Sequence, residues 1–286
     1  MVTRFWLDRR VIVTGGTAGF GLVLARHLDA AGARVLIVGR SGDGVREALA
    51  WADRQPGDHG GRMRGLAADL ARPGEGSRVA GEALRLLGGV DDLFFCVGRS
   101  GRGSILRTDA AALREYFDAN VSSAVEITQC VVDDVAAAHG HLVYLGSLAG
   151  KLVTPFMGPY CVAKSALAAY VDAVRVEVAP RGAHVLLVSP GPIRRDDTAP
   201  RAPAAADRYA ADVERAGLPP EALRPGGTRA VPLLDPDRLA EAVLAACVSR
   251  RSELVMPRSA GFLAGLIEWC PEWGRRILAR AAARRG

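Results

Sequence analysis

The sequence predicts an α/β protein built on a doubly wound parallel sheet of seven strands, folded as a single domain. Three observations carry that expectation. Short apolar runs alternate with helix-patterned stretches along most of the 286 residues. The runs are rich in Val, Leu and Ile without polar alternation, the pattern of strands covered on both faces. A glycine-rich turn, Thr14 to Gly21, follows the first run directly, and strands joined by helical crossovers form parallel sheets.

Taken in order, strands are expected at Val11–Thr14, Val35–Val38, Met63–Ala68, Leu93–Val97, Leu142–Leu145, Val185–Val188 and Leu254–Met256. Helices are expected near 19–31, 43–54, 76–87, 109–138, 159–179 and 236–249. Gly32 and Gly140 stand where helix C-caps belong, and Asp109 suits an N-cap. The stretch from Arg194 to about Leu234 breaks the alternation. It is rich in Pro, Ala and Arg, with room for a short helix near Ala205–Ala216. It follows the carboxyl end of a strand, where ligands bind in such sheets, and reads as a substrate lid. One catalytic domain is therefore expected over 1–260, with 261–286 forming a C-terminal amphipathic helix and basic tail.

Composition narrows the class. Apolar residues make up 49% and charged residues 24%, an ordinary globular balance. The five cysteines are widely spaced, with no Cys-x-x-Cys pair or Cys/His cluster. Neither a disulfide framework nor a metal site is indicated, and reduced thiols suit a cytoplasmic protein. The N-terminus lacks the long apolar stretch of a signal peptide, and no uninterrupted apolar run is long enough to span a bilayer. The net charge of +6 comes almost wholly from arginine, since Lys151 and Lys164 are the only lysines. No nucleic-acid partner is expected.

Two motifs carry chemistry. In Thr14-Gly-Gly-Thr-Ala-Gly-Phe-Gly21, Gly15 permits the turn, Gly19 allows close approach of a pyrophosphate, and Gly21 lets the following helix pack. Such a turn offers backbone N–H groups and a helix N-terminus to phosphate. The second motif is Ser147, then Tyr160, then Lys164 four residues further on. That last spacing puts the phenol and the ammonium on one helical face. An unperturbed phenol, with a pKa of about 10, is a poor proton carrier near neutrality; a neighbouring cation favours its phenolate. Singly, Ser147 also suits a turn, Asn120 a helix surface and Tyr160 a core aromatic.

Together these motifs resemble the short-chain dehydrogenase/reductase family, and the resemblance covers most of the chain. It implies a Rossmann-type fold and a nicotinamide cofactor. It assigns Tyr160 as the proton carrier, Ser147 as the group that orients the substrate oxygen, Lys164 as a holder of the nicotinamide ribose, and Asn120 as the holder of a water in the proton relay. Thr17 and Phe20 go to the cofactor with the glycine turn. Asp69 matches the residue near the adenine, with Leu70 beside it; a helix N-cap is the competing role for Asp69. Gly98 ends Phe95-Cys96-Val97-Gly98, where the family usually has Asn-Ala-Gly, and Cys96 reads as a small core residue. Pro190, Gly191 and Ile193 match the loop over the nicotinamide, and Arg195 stands where that loop often has threonine. Arg194-Arg195-Asp196-Asp197 pair with one another or with cofactor phosphate. Strand two ends Val38-Gly39-Arg40-Ser41 without the acid expected of an NAD site. Arg40 and Ser41 suit a 2′-phosphate instead, pointing to NADP (NADPH), with a solvated arginine as the alternative for Arg40.

In the tail, Phe262, Leu263, Leu266, Ile267, Trp269, Trp273, Ile277 and Leu278 recur at helical spacing, with Arg275, Arg276, Arg280, Arg284 and Arg285 alongside and beyond them. One helix over 261–280 is expected. It either packs on the protein or a second subunit, or lies on an anionic lipid surface. The function expected is interconversion of a ketone or aldehyde and an alcohol, on a small-molecule substrate with lipophilic compounds among the candidates, by a homo-oligomer that is cytoplasmic or membrane-associated. A cofactor-sensing binding protein, and a lyase or epimerase of the same fold, are the alternatives.

Overall fold

The computed structural model describes residues 2–55, 63–194, 200, 205–223 and 233–283. Arg195, Asp196, Asp197, Arg284 and Arg285 lie outside the described residues, as does much of the expected lid. The chain runs α1 (Val2–Trp6), β1 (Arg10–Thr14), α2 (Gly19–Ala30), β2 (Arg34–Gly39), α3 (Gly42–Ala52), β3 (Arg64–Ala67), α4 (Glu75–Leu87) and β4 (Asp92–Phe95). It continues α5 (Ala110–Phe117), α6 (Ser123–Ala137), β5 (His141–Leu145), α7 (Gly158–Val178), β6 (His184–Pro190), α8 (Ala205–Arg215), α9 (Pro236–Val248), β7 (Glu253–Met256), α10 (Arg258–Trp269) and α11 (Pro271–Ala283).

All seven strands are parallel, in the order β3-β2-β1-β4-β5-β6-β7. The unalternating apolar runs are explained by helices on both faces. Val11, Val13, Val35, Ile37, Phe94, Val143, Leu186 and Val188 pack with α2, α3 and α9. Their neighbours in sequence, Ile12, Leu36, Val38, Leu93, Phe95, Leu142, Tyr144, Val185 and Leu187, pack with α4, α6 and α7 on the other side. Each fully buried side chain of this size contributes about 1.5–3 kcal/mol. The chain reverses direction across the sheet between β1 and β4, and clefts at such switch points receive ligands at the strands' carboxyl ends.

The opposite end of the sheet is closed by charge. Asp92, fully buried, accepts from Arg9 Nε at 2.6 Å and from the backbone N–H of His141 at 2.9 Å. Its Oδ1 also bonds His141 Nδ1 at 2.7 Å. Trp6 of α1 covers this cluster, its ring 5.7 Å from Phe94 and 5.6 Å from His141.

Several expectations are corrected. The helix expected near 109–138 is two helices joined by a π-helical segment, Asp118–Ser122. Gly140 does not cap α6: the left-handed residue is His139 (φ 49°), and Gly140 is needed because a Cβ there would lie 1.7 Å from Asp91 O. The single C-terminal helix is a pair, because Pro271 cannot continue α10. Cys270 before it is pushed out of helical geometry (φ −131°, ψ 72°). Gly274 then lets α11 fold back onto Ile267, whose Cγ1 would be 2.4 Å from a Cβ.

One consequence is pH-dependent. His184 is buried and binds Arg251 O through Nε2 at 2.8 Å, edge-on to His141. Burial, helped by His141, pushes its pKa down from 6.5 to about 4. The unfolded chain binds this proton more readily, so folding stability is full above about pH 6.5 and falls as the pH drops towards 4. The loss amounts to at most about 3 kcal/mol. Urea unfolding at pH 7 and pH 5 should show this decline, and His184→Asn should flatten it.

Candidate active site

The glycine turn connects β1 to α2. Gly15 is left-handed (φ 67°), and a Cβ on it would meet Cys96 O at 2.9 Å. A Cβ on Gly21 would lie 2.3 Å from Gly15 O, so the start of α2 can seat on the turn only as glycine. Gly19 (φ 57°) is exposed, and only its backbone conformation requires glycine. Ala18 provides no side-chain cap to α2, so the first N–H groups face the cleft, ready for an anion. Phe20 is buried in the core beneath. The turn is tied to the neighbouring strand by Gly16 N–H donating to Val38 O at 3.1 Å. Thr17 packs over Gly39, where a Cβ would meet its Oγ1 at 2.3 Å.

Arg40 is exposed just beyond the carboxyl end of β2. Ser41 Oγ accepts from Gly44 N–H at 3.1 Å and caps α3, which leaves the hydroxyl proton to donate outward. Asp69 caps a turn rather than α4: its Oδ1 accepts from Ala71 N–H at 3.3 Å, and Arg72 Nε lies 3.7 Å from its carboxylate. Leu70 is buried beside it.

Four expected residues from three segments converge beyond β4 and β5. The π-helical turn carries Asn120, fully buried, into the cleft. Its Nδ2 donates to Arg99 O at 3.0 Å and Tyr116 O at 2.9 Å. Its Oδ1 is buried without a hydrogen-bond partner among the described residues. Lys164 of α7 is 4% exposed and donates from Nζ to Leu145 O at 2.9 Å. Asn120 Oδ1 and Lys164 Nζ lie 2.9 and 3.1 Å from the point where a Gly98 Cβ would stand. Gly98 thus keeps open the space that both groups address.

Tyr160 lies one helical turn before Lys164, whose Nζ is 5.9 Å from the Tyr160 ring centre. Ser147 follows β5 nearby, and its Oγ accepts from Ala149 N–H at 3.1 Å. Burial pushes the Tyr160 phenol up to about 12, opposed by Ser147. Burial pushes Lys164 down to about 8, opposed by the nearby Cys96. In the protein alone, burial therefore outweighs the expected assistance of the ammonium to the phenol. Cys96 is no reactive thiolate, because burial pushes it up to about 12.

Pro190 ends β6, and Gly191 N–H donates to Met256 O at 2.7 Å. Ile193 bridges to Leu234, so the two stems of the lid run side by side. Arg194 pairs with Asp235, the N-cap of α9. Sequence reasoning missed a polar cluster where lid helix α8 meets the segment after β4. Ser100 Oγ bonds the Tyr209 hydroxyl, and the Arg102 guanidinium lies 4.2 Å over the Tyr209 ring. No local motif marks these residues, and Arg102 is one arginine among many.

A cavity of about 760 Å³ opens next to this cluster. Its walls come from the segments after β4 and β5, the end of α8 and α11. They are mainly apolar, including Ile105, Leu106, Val153, Phe156 and Leu218, with Arg107 and Arg275 among them.

A glycine-cradled helix terminus beside a Ser-Tyr-Lys-Asn cluster defines an oxidoreductase of the nicotinamide-dependent, doubly wound class. Comparison with known proteins identifies the family. Residues 9–205 match the family model described as short chain dehydrogenase, and the chain belongs to that family. It is 32% identical over 197 residues to Dehydrogenase/reductase SDR family member 7B of Danio rerio, covering 65% of this chain and 62% of that protein. For the same-named protein of Bos taurus, identity is 30% over 250 residues, covering 86% and 72%. A short-chain dehydrogenase from Streptomyces avermitilis superposes with a TM-score of 0.73 at 24% identity, over 95% of this chain and 98% of that one. The family uses a nicotinamide cofactor and acts on small molecules. The site fits that cofactor: Gly15 and Gly21 clear the cradle, and Asn120 Oδ1 is a buried acceptor facing the cleft.

Proposed function

We propose that the chain is an NADP(H)-dependent oxidoreductase that interconverts a ketone or aldehyde and an alcohol, on a lipophilic substrate. The convergence of Ser147, Tyr160, Lys164 and Asn120 around the opening at Gly98 carries this reading. Gly15, Thr17, Gly19 and the N–H groups of α2 would hold the pyrophosphate, and Pro190, Gly191 and Ile193 would cover the nicotinamide. When bound, the cofactor supplies or accepts a hydride. Ser147 donates to the substrate oxygen and holds it against the Tyr160 hydroxyl. Tyr160 gives its proton to that oxygen in reduction and takes it back in oxidation. Lys164 holds a ribose hydroxyl, and Asn120 Oδ1 fixes a water through which the proton is replaced.

Three observations support the finer points. The β2 terminus offers Arg40 and Ser41 with no carboxylate, which favours a 2′-phosphate. A largely apolar cavity beside the end of α8, lined by none of the four catalytic residues, would take the remote lipophilic part of a substrate. Trp269, Phe262 and Trp273 are 90%, 78% and 70% exposed, and α11 also carries Arg275, Arg276 and Arg280. That combination supports peripheral contact with an anionic lipid surface by a protein otherwise cytoplasmic, and an interface in a homo-oligomer is the competing use of the same face. No helix among the described residues is long and apolar enough to cross a membrane.

NADPH oxidation, followed by absorbance against a carbonyl panel graded by chain length, tests the activity. Tyr160→Phe should keep cofactor binding and lower turnover by about 10²–10⁴-fold; near-wild-type turnover would remove Tyr160 from the mechanism. A charge-assisted contact of about 1.5–3 kcal/mol predicts roughly ten- to hundred-fold preference for NADPH over NADH. Arg40→Ala should erode that preference through the KM for NADPH, and equal use of both cofactors by the wild type would sink the assignment. In flotation with anionic vesicles, the protein should float and be released by salt. The double variant Trp269→Ser/Trp273→Ser should stay at the bottom, whereas a wild type that never floats and sediments as an oligomer would make this face a subunit interface.

A further inference from the structure

The polar cluster beneath the lid has a role that the Ser-Tyr-Lys-Asn set leaves open. Arg102 is 6% exposed, and its Nε donates to Ala222 O, in the short turn after α8, at 2.5 Å. Its backbone N–H donates to Asp212 Oδ2 of α8 at 3.1 Å. Its guanidinium stacks on Tyr209 of the same helix, and Ser100 holds the Tyr209 hydroxyl. Gly101 between them has no room for a side chain: a Cβ would lie 2.0 Å from the Tyr116 hydroxyl and 2.9 Å from Asp212 Oδ2. One short segment after β4 thus grips the lid at three points.

We propose that Arg102 is a positioning residue that latches helix α8 to the segment after β4 and so fixes Tyr209 in the neighbourhood of Tyr160. The proposal rests on Tyr160 being the proton carrier. The groups facing Tyr160 are Ser147 after β5, Cys161 and Lys164 on α7, Arg102 after β4 and Tyr209 on α8. Of the last two, Arg102 favours the Tyr160 phenolate and Tyr209 disfavours it. Arginine suits the latch because its planar fork donates and stacks at once, which lysine cannot do.

Hydrogen exchange over residues 205–223 of the full-length protein reads the latch without any substrate. In Arg102→Met those amides should exchange at least about tenfold faster while β1 and β4 stay protected. Arg102→Lys should leave the exchange fast, because it restores the charge but not the fork. Unchanged exchange in Arg102→Met would overturn the latch. The pH profile of alcohol oxidation, with the best alcohol from the panel, should move upward in Arg102→Met, back in Arg102→Lys, and downward in Tyr209→Phe, with KM raised more than kcat is lowered. Equal shifts in one direction, or none, would overturn the role given to Tyr209. Should Arg102→Met fail to fold, Tyr209→Phe, which removes one hydroxyl, decides alone. Should no carbonyl or alcohol turn over, the proposed function fails while the exchange result still judges the latch.

Discussion

The ammonium of Lys164 is withdrawn from water and held by the Leu145 carbonyl, the last residue of β5. A buried cation is costly unless its surroundings are polar and fixed, so every neighbouring element has to serve it. α7 must start where its second turn reaches the strand end. The chain after β4 must pass close without a side chain, which Gly98 provides. The helix opposite must bend to present an amide, which the π-helical turn at Asn120 does. π-Turns are rare and cluster at functional sites; here the extra residue per turn aims Asn120 inward while α5 and α6 keep their apolar faces on the protein.

The two ends of the sheet divide the work. At the amino ends of the strands, Asp92 holds Arg9 and His141 under Trp6. At the carboxyl ends, Asn120 Oδ1 has no hydrogen-bond partner among the described residues, and the start of α2 has no side-chain cap. A buried acceptor left open beside a glycine-cleared turn organises the carboxyl end for binding.

Much of this was legible in the sequence. Buried parallel strands announce themselves as apolar runs, so all seven were placed to within about two residues. The glycine turn and the Ser147, Tyr160, Lys164 spacing are local, and the chain folds them as local units. What escaped depends on contacts distant in sequence or on small deviations of helical pitch. No residue pattern distinguishes the π-turn from the helix around it. The use of Gly140 depends on Asp91, which arrives from another strand. Arg102 and Tyr209 meet only because the segment after β4 lies under the lid. The break at Pro271, by contrast, was readable: the residue before a proline leaves the helical region, and the apolar periodicity across it masked that signal.

The scarcity of lysine has a chemical corollary. Of the two side-chain amines, Lys151 is paired with Glu253 at 3.0 Å. Lys164 is pushed down to about 8 and borders the space left by Gly98. Mild acylation near that pH therefore meets a partly neutral side-chain amine at the floor of the cleft. The modification itself becomes a footprint, with the rate of acylation at Lys164 reporting occupancy of the cofactor groove directly, whatever the substrate.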